Sequence, residues 1–228
     1  MRTIDFRISA AGDSALIVEW PPRLDLATST RVIAVANAAR RRFGSTIRDA
    51  VVGYHTLTVY FDPLTLDAAW LAEQLGNLAG EPAGEGDAPG ATIEVPVCYG
   101  GELGPDLSAV AEQAGCSEDE VVRLHTSLDY RVFVVGFVPG FAYMGPVDPR
   151  LALPRRSTPR TRVPAGSVAI AAGQTGIYPI ETPGGWHLLG RTAVRPFDEH
   201  RAEPVLFRPG DRVTFRSVTR DEFDAAAG

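Results

Sequence analysis

Hydrophobic and polar positions along the first 80 residues predict a small α+β domain. Apolar residues recur every three or four positions in two segments, and β-branched and aromatic residues dominate the segments between them. The pattern predicts strands over 3–9, 14–20, 47–53 and 56–61 and helices over 25–43 and 67–78. This order is typical of an α+β sandwich, in which two helices pack on one antiparallel sheet.

The segment 81–90, EPAGEGDAPG, offers almost nothing to bury and predicts a linker between two domains. The chain then divides into an N-terminal α+β domain (1–80), the linker (81–90) and a second domain (91–228). Short strands with Gly and Pro corners predict a closed or nearly closed β-barrel in the second domain. Its predicted elements are strands at 92–98, 131–138, 205–208 and 212–218, helices near 105–115 and 118–125, and a frayed tail after 220.

The stretch from Gly136 to Arg191 is rich in Gly and Pro, but it also carries large aromatic side chains, unlike a disordered linker. Such a path is rigid and irregular, and on a β scaffold it is where binding residues collect. Its aromatic and polar candidates are Phe137, Phe141, Tyr143, Tyr178, Trp186, Arg155, Arg156, Arg160, Arg162, Gln174, Glu181 and His187.

Charge and composition narrow the class of protein. The formal net charge of -6 and the pI near 5.3 argue against a nucleic-acid partner. No apolar run approaches the length of a membrane span, and Asp5 and Arg7 interrupt the first apolar run, unlike a secretion signal. Cys98 and Cys116 form no CxxC motif. We therefore expect a cytoplasmic protein with free thiols.

All 22 positively charged side chains are arginine. The absence of lysine excludes a P-loop lysine, a lysine Schiff base, a biotinylated lysine and a Ser–Ser–Lys amidase, because arginine stays protonated and cannot replace lysine as a base. The 4 histidines are far apart and lack the spacing of metal ligands, so no metal site is predicted.

Five polar residues of the central stretch each allow two interpretations. Four arginines suit two-point binding of a carboxylate or phosphate, but they equally suit a solvated rim with surface ion pairs: Arg155, Arg156, Arg160 and Arg162. Gln174 lies in a GQTG turn, from which its amide can bind a ligand amide, or the turn can be a simple hairpin.

Three further residues also allow more than one interpretation. His125, at a predicted helix end, suits either a general acid or base or a cation that stabilises the helix C-terminus. Trp186 suits a ligand platform, although tryptophan more often belongs to a core. His187 is as compatible with an exposed position as with a functional one.

Several longer motifs resemble one family. They are GDSALIVEW (12–20), VCYGGELGPDL (97–107), RLHTS (123–127), GFVPGFAYMG (136–145), the run 148–192 and RPGDRVTF (208–215). The chain resembles the B subunit of 5-oxoprolinase, whose relatives are labelled allophanate hydrolase subunit 1 or Kip-type histidine-kinase inhibitor. The resemblance covers nearly the whole chain. The allophanate hydrolase label fits poorly, because lysine-dependent amidase chemistry is excluded.

The resemblance implies a cyclophilin-like barrel and a complex with two other chains, a sister C subunit and an A subunit. That complex opens the lactam ring of 5-oxo-L-proline to L-glutamate with ATP, and ATP is used through the complex. On this basis His125 and Gln174 are the catalytic candidates. The candidates for binding substrate or phosphate are Arg160, Arg162, Tyr143, Tyr178, Glu181, Trp186 and His187.

Two other functions remain open within the same resemblance. The first is a regulatory protein that inhibits a sensor histidine kinase by direct binding. The second is a carboxyltransferase-type module, related to urea carboxylase, that needs a biotin carrier on another chain. When the sister chain is missing, a homodimer through the surface meant for it is a further expectation.

Overall fold

The structure is a computed structural model that describes residues 5–23, 25–81 and 90–227. The chain divides into two compact units, Met1–Pro89 and Gly90–Gly228. Residues 82–89 of the predicted linker lie outside the described residues.

The N-terminal unit is a four-stranded antiparallel sheet with two helices packed on it, as the sequence predicted. The strands follow the order β1-β2-β4-β3 across the sheet. The elements are β1 (Arg7–Ala10), β2 (Ala15–Glu19), α1 (Leu26–Phe43), β3 (Ile47–Val52), β4 (Thr56–Phe61) and α2 (Ala68–Gly80).

Helix α1 begins and ends where local chemistry requires it. The Asp25 carboxylate accepts a hydrogen bond from the backbone N–H of Thr28 at 2.8 Å, which satisfies one of the free donors of the first turn. Gly44 ends the helix with a φ of 49°, a conformation that glycine adopts without strain. Between them, Val32 and Ala36 are fully buried in the same apolar cluster as the sheet residues.

The second unit contains a closed barrel of seven strands, which confirms the predicted α+β class with a β-barrel. The strand order is β10-β7-β6-β13-β5-β12-β9; β13 and β5 run parallel and the other neighbours run antiparallel. The elements are β5 (Thr92–Tyr99), α3 (Leu107–Ala114), α4 (Glu118–Thr126), β6 (Tyr130–Val135), β7 (Ala142–Gly145), β8 (Arg160–Val163), β9 (Ser167–Ala171), β10 (Gln174–Ile177), β11 (Thr182–Gly184), β12 (His187–Arg191), β13 (Arg212–Ser217) and α5 (Arg220–Ala227).

Strand β9 is buried on both faces because the barrel wall is covered on its outside. Val168 and Ile170 belong to the interior core, whereas Ala169 and Ala171 belong to a second apolar cluster. That second cluster also includes Val163 of β8, and β8 pairs with β11 to form a separate two-stranded sheet. This sheet and the segments beside it carry most of the candidate residues.

Two predictions for the C-terminal part were wrong. Segment 205–208 is not a strand; only Val205 forms an isolated bridge, to Phe197, and the flanking Pro204 and Pro209 lack the N–H groups that a ladder needs. The tail is the helix α5 rather than frayed chain. Thr219 and Glu222 exchange hydrogen bonds in a capping box, a sequence signal that the prediction missed.

Candidate functional site

One buried carboxylate organises the arginines of the central stretch. Asp106 accepts two hydrogen bonds from the guanidinium of Arg160 and one from Arg156, each at 2.8 Å. It also accepts the backbone N–H of Leu188 at 2.7 Å. The Asp106 side chain is only 5% exposed, and those of Arg156 and Arg160 are 33% and 24% exposed. We call Asp106, Arg156 and Arg160 the arginine clamp.

The clamp keeps Asp106 ionised. Burial by itself raises the pKa of this carboxyl, but the hydrogen bonds from Arg160 and Leu188 and the charges of both arginines more than offset burial, so its pKa lies below the usual value. Two cations against one anion leave the clamp with a net positive charge. The clamp therefore favours anions at the surface where the two guanidinium groups emerge.

The segment just before the clamp has a fixed backbone. The Nε2–H of His187 donates to the carbonyl of Pro154 at 2.9 Å, and the backbone N–H of Arg156 donates to the carbonyl of Gly185 at 2.8 Å. Arg155 lies between these two anchored residues, and its side chain is exposed. No ion pair of Arg155 occurs within the part of the chain that the structure describes.

An aromatic cluster lies on the outer wall of the barrel. The ring of Phe141 contacts the rings of Tyr143, Tyr178 and Trp186 edge-on, with centroids 4.8, 5.2 and 5.5 Å apart. Trp186 is buried, as a core residue would be, whereas Tyr143 is partly exposed. Phe137 contacts Phe141 and is 62% exposed, with a φ of 70°. The cluster thus presents both a packed base and an accessible edge.

The phenols of this cluster lie within the electrostatic influence of Arg155. Burial raises the pKa of Tyr143 and of Tyr178, and the positive charge of Arg155 opposes both increases. The backbone N–H of Trp186 also opposes the increase in the pKa of Tyr178. Both phenols therefore stay protonated at neutral pH and are able to donate hydrogen bonds.

Gln174 lies on the same outer wall. It is the first residue of β10, and the next residue, Thr175, points inward to His125. Because alternate residues of a strand face opposite sides, Gln174 and Gly176 face outward. A Cβ added at Gly176 would lie 3.1 Å from the Phe141 ring, which places this outward face beside the aromatic cluster. The Gln174 side chain is largely buried, at 9% exposure.

Arg162 and Glu181 form an exposed ion pair, and Arg162 lies on β8 two residues after Arg160 of the clamp. The guanidinium Nε and Nη2 of Arg162 lie 2.9 and 2.7 Å from Oε1 of Glu181, with the two side chains 76% and 51% exposed. This is the surface pairing that the sequence left open for the arginines. Their predicted role in ligand binding stays a prediction.

His125 lies in the core rather than on the outer wall. Its side chain has 0% exposure and packs against the rings of Phe215 and Tyr130, at centroid distances of 4.5 and 5.3 Å. Burial lowers its pKa to about 3, so the ring is neutral at neutral pH. The interpretation of His125 as a cation at the end of α4 was therefore wrong.

A chain of hydrogen bonds fixes the tautomer of His125. The Thr175 hydroxyl donates to the carbonyl of Ala169 at 3.1 Å, so its oxygen accepts Nε2–H of His125 at 2.8 Å. Nδ1 of His125 then accepts the hydroxyl of Tyr99 at 2.7 Å. Both ring nitrogens are thus bonded inside the protein, and neither can exchange a proton with a ligand in this conformation.

The structure therefore brings together some of the predicted residues and separates others. The outer surface of the barrel unit carries Gln174, Tyr143, Tyr178 and Trp186, and Arg160 lies near enough to Tyr178 for its charge to oppose the increase in the pKa of that phenol. His187 instead pairs with Ile170, which belongs to the interior core, and donates to the carbonyl of Pro154. His125 lies in the interior, and Arg162 and Glu181 lie in the exposed pair. The catalytic and binding roles of all these residues remain predictions.

Asp106, Tyr99 and Thr175 were not predicted to be important. Asp106 directly precedes α3, where an acidic residue usually caps the helix, but it makes no side-chain capping bond there. Its arginine partners lie 50 and 54 positions further along the chain, so nothing beside Asp106 in the sequence signals them. Tyr99 and Thr175 are identified only by their contacts with His125.

The described ranges contain no candidate for a metal centre or for a membrane-spanning helix. Among residues 5–23, 25–81 and 90–227, no group of three or more His, Cys, Asp or Glu side chains is arranged to hold a metal ion. Of the helices in these ranges, none combines the length and apolarity needed to cross a membrane.

The sequence and the fold match a known class of domain. The family model described as carboxyltransferase domain, subdomain C and D, matches residues 6–207. The crystal structure of TTHA0988 superposes with a TM-score of 0.79 at 40% identity, over 90% of this chain and 40% of that chain. The urea amidolyase of K. lactis shares the fold alone, with a TM-score of 0.76 at 22% identity, over 96% of this chain and 15% of that chain.

Curated relatives narrow the class further. The B subunit of 5-oxoprolinase from Escherichia coli O157:H7 is 42% identical over 90% of this chain and 92% of its own length. The protein of the same name from Bacillus subtilis is 34% identical over 98% and 97%. The chain belongs to the family of 5-oxoprolinase B subunits, and its own sequence matches the carboxyltransferase domain.

Proposed function

We propose that this chain is the B subunit of an ATP-dependent 5-oxoprolinase. In this proposal it acts in the cytoplasm with a sister C subunit and an A subunit, and the complex opens 5-oxo-L-proline to L-glutamate. The observation that carries the proposal is the match, over 89–98% of this chain, to three proteins named as B subunits of 5-oxoprolinase.

The surface of the barrel unit is chemically suited to this substrate. 5-Oxoproline carries a carboxylate and a lactam amide, and ATP contributes anionic phosphates. The arginine clamp supplies a net positive charge, and the outer wall beside it carries the amide of Gln174 and the phenol of Tyr143. In the proposed reaction the positive charge of the clamp attracts the anionic substrate or a phosphorylated intermediate, and Gln174 and Tyr143 bind and orient it.

In this proposal His125 has a structural role, and ATP is used through the complex rather than by this chain alone. Because both His125 nitrogens are bonded internally, we assign His125 to holding β10 against the core through Thr175. The chain has no lysine for a P-loop, so in this proposal ATP is used through the complex, bound by a partner chain or by an arginine site. We therefore expect little or no activity from the isolated chain.

An activity assay tests the proposal directly. The purified chain is measured alone and mixed with the A and C subunits, and glutamate formed from 5-oxoproline is followed with and without ATP. We expect activity only in the mixture and only with ATP. An inactive mixture in which all three chains are shown to assemble would contradict the proposal.

A carboxyltransferase function is the second candidate, and one relative favours it. A putative urea carboxylase of Emericella nidulans is 28% identical over 55% of this chain and 11% of its own length. Because this chain lacks lysine, biotin would have to arrive on another protein. Transfer of a carboxyl group from a carboxylated biotin carrier to urea, with this chain present and not without it, would establish the alternative.

A further inference from the structure

We infer that Arg155 binds the anionic group of the ligand on the outer wall of the barrel, and that the arginine clamp is a positioning device for it. The inference rests on the proposed function and names the residue and the chemical class: an oxyanion, either a carboxylate or a phosphate. The sequence offered Arg155, Arg156, Arg160 and Arg162 alike as anion-binding candidates, and the resemblance then favoured Arg160 and Arg162.

Of the four arginines between positions 155 and 162, three form ion pairs within the described residues and Arg155 forms none. Arg156 and Arg160 share the carboxylate of Asp106, and Arg160 uses both of its terminal nitrogens in that contact. Arg162 is paired with Glu181. A ligand carboxylate would have to compete with a protein carboxylate for any of these three. Within the described residues Arg155 has no such competitor, and its side chain is exposed.

The backbone on either side of Arg155 is fixed before a ligand arrives. Pro154 is held by the side chain of His187, and Arg156 is held through its backbone by Gly185 and through its guanidinium by Asp106. A binding residue on a fixed backbone loses less conformational entropy on binding than one on a free loop. Two arginines thus form a structural contact next to Arg155, which has no ion pair within the described residues.

The neighbours of Arg155 suit a small oxyanion with a flat body. The phenols of Tyr143 and Tyr178 are close enough for the Arg155 charge to affect their protonation, and Tyr143 is partly exposed on the aromatic cluster. The guanidinium fork binds a carboxylate or phosphate at two points, and an aromatic edge provides apolar contact for a ring. With the net positive clamp beside it, the local charge is about +2 from Arg155, Arg156, Arg160 and Asp106.

Binding to the full-length chain, in the absence of the other two chains of the complex, provides the test. 5-Oxoproline and inorganic phosphate are titrated separately by calorimetry into the parent chain and into Arg155→Ala. We expect Arg155→Ala to weaken binding by about ten- to a hundredfold, as the loss of a charge-assisted hydrogen bond does. A loss confined to 5-oxoproline identifies the anion as the substrate carboxylate, and a loss confined to phosphate identifies a phosphoryl site.

Arg216→Ala is the matched control. Arg216 is an exposed arginine on β13, which lies across the barrel from β9 and β10 in the strand order. Its replacement removes the same charge and should leave both affinities unchanged, while Arg155→Lys should restore part of the binding. Equal affinity of Arg155→Ala and the parent would overturn the inference, as would a parent chain that binds neither ligand.

The outcome is separable from that of the proposed function. If the isolated chain binds 5-oxoproline through Arg155 but the assembled complex makes no glutamate, the inference stands and the proposed reaction fails. If the complex is active and Arg155→Ala changes neither the binding of either ligand nor the KM for 5-oxoproline, the proposed function stands and the inference fails.

Discussion

Two of the ionisable side chains that the barrel unit buries, His125 and Asp106, differ in charge. His125, in the interior, meets only neutral hydrogen-bonding partners, and burial lowers its pKa to about 3. Asp106, on the outer wall, meets two guanidinium groups and a backbone N–H, and its pKa lies below the usual value despite burial. Both side chains are almost inaccessible to water, yet one is neutral and the other is charged.

The difference shows that burial alone does not decide the charge of a side chain. Desolvation always disfavours the charged form, and only specific partners reverse that preference. The interior therefore has a group that resists protonation, and the outer wall has a group that resists losing its charge. The two regions should respond to acid in different pH ranges, and this makes the comparison testable.

The largest expected effect is the acid sensitivity caused by His125. As the pH falls below 6.5, the unfolded chain takes up a proton on this residue while the folded chain does not, so the folded state loses stability until the pH reaches about 3. The slope is about 1.4 kcal/mol per pH unit, or on the order of 4–5 kcal/mol in total. Above pH 6.5 both states are neutral and the effect is absent.

Urea unfolding at about pH 7, 6, 5 and 4 measures this slope in the parent and in His125→Gln. The variant loses packing and starts from a lower free energy of unfolding, but its stability should fall less steeply with pH than that of the parent. His200→Gln is the control, because it makes the same substitution at a histidine that is 87% exposed. An equally steep fall in His125→Gln would show that other groups cause the acid sensitivity.

The second-largest expected effect on the free energy of unfolding comes from removing the negative charge of Asp106 from the clamp. Asp106→Asn keeps the shape of the side chain but leaves Arg156 and Arg160 without a countercharge, and we expect the free energy of unfolding to fall by about 3 kcal/mol at pH 7. Urea is the suitable denaturant because guanidinium chloride would screen the charges. Glu94→Gln removes a carboxylate that is 62% exposed and paired with Arg216, and it should cost little. A cost below about 1 kcal/mol for Asp106→Asn would contradict the role given to the clamp.

Much of the fold was predictable because its signals are local. Asp25 and Gly44 mark the ends of α1, and Ser117 caps α4 through the backbone N–H of Glu120. Strand pairing was harder to predict from the sequence, because the parallel contact of β13 with β5 joins residues about 120 positions apart. The failures at 205–208 and in the tail came from overlooking local chemistry: prolines on both sides of the first, and a capping box at the start of the second.

The site was harder to predict because its organising contact is not local. Asp106 and Arg160 are 54 positions apart, and nothing in the sequence near either residue identifies the other as its partner. The sequence showed that aromatic residues and arginines are concentrated in one stretch. It did not show which of the arginines form ion pairs. His125 resembles a residue at an exposed helix end, and only the packing of Tyr130 and Phe215 shows that it is buried.

The smallest expected effect completes the comparison of buried with exposed charge. Glu181→Gln breaks the exposed pair with Arg162, and we expect it to change the free energy of unfolding by less than about 0.5 kcal/mol at low salt and by less still at high salt. Urea unfolding of this variant beside Asp106→Asn gives the contrast in one experiment. Both substitutions remove a carboxylate that pairs with an arginine of β8, so any difference between them reports burial and the number of partners. A loss above about 1 kcal/mol in Glu181→Gln would show that the exposed pair is held more rigidly than its exposure indicates.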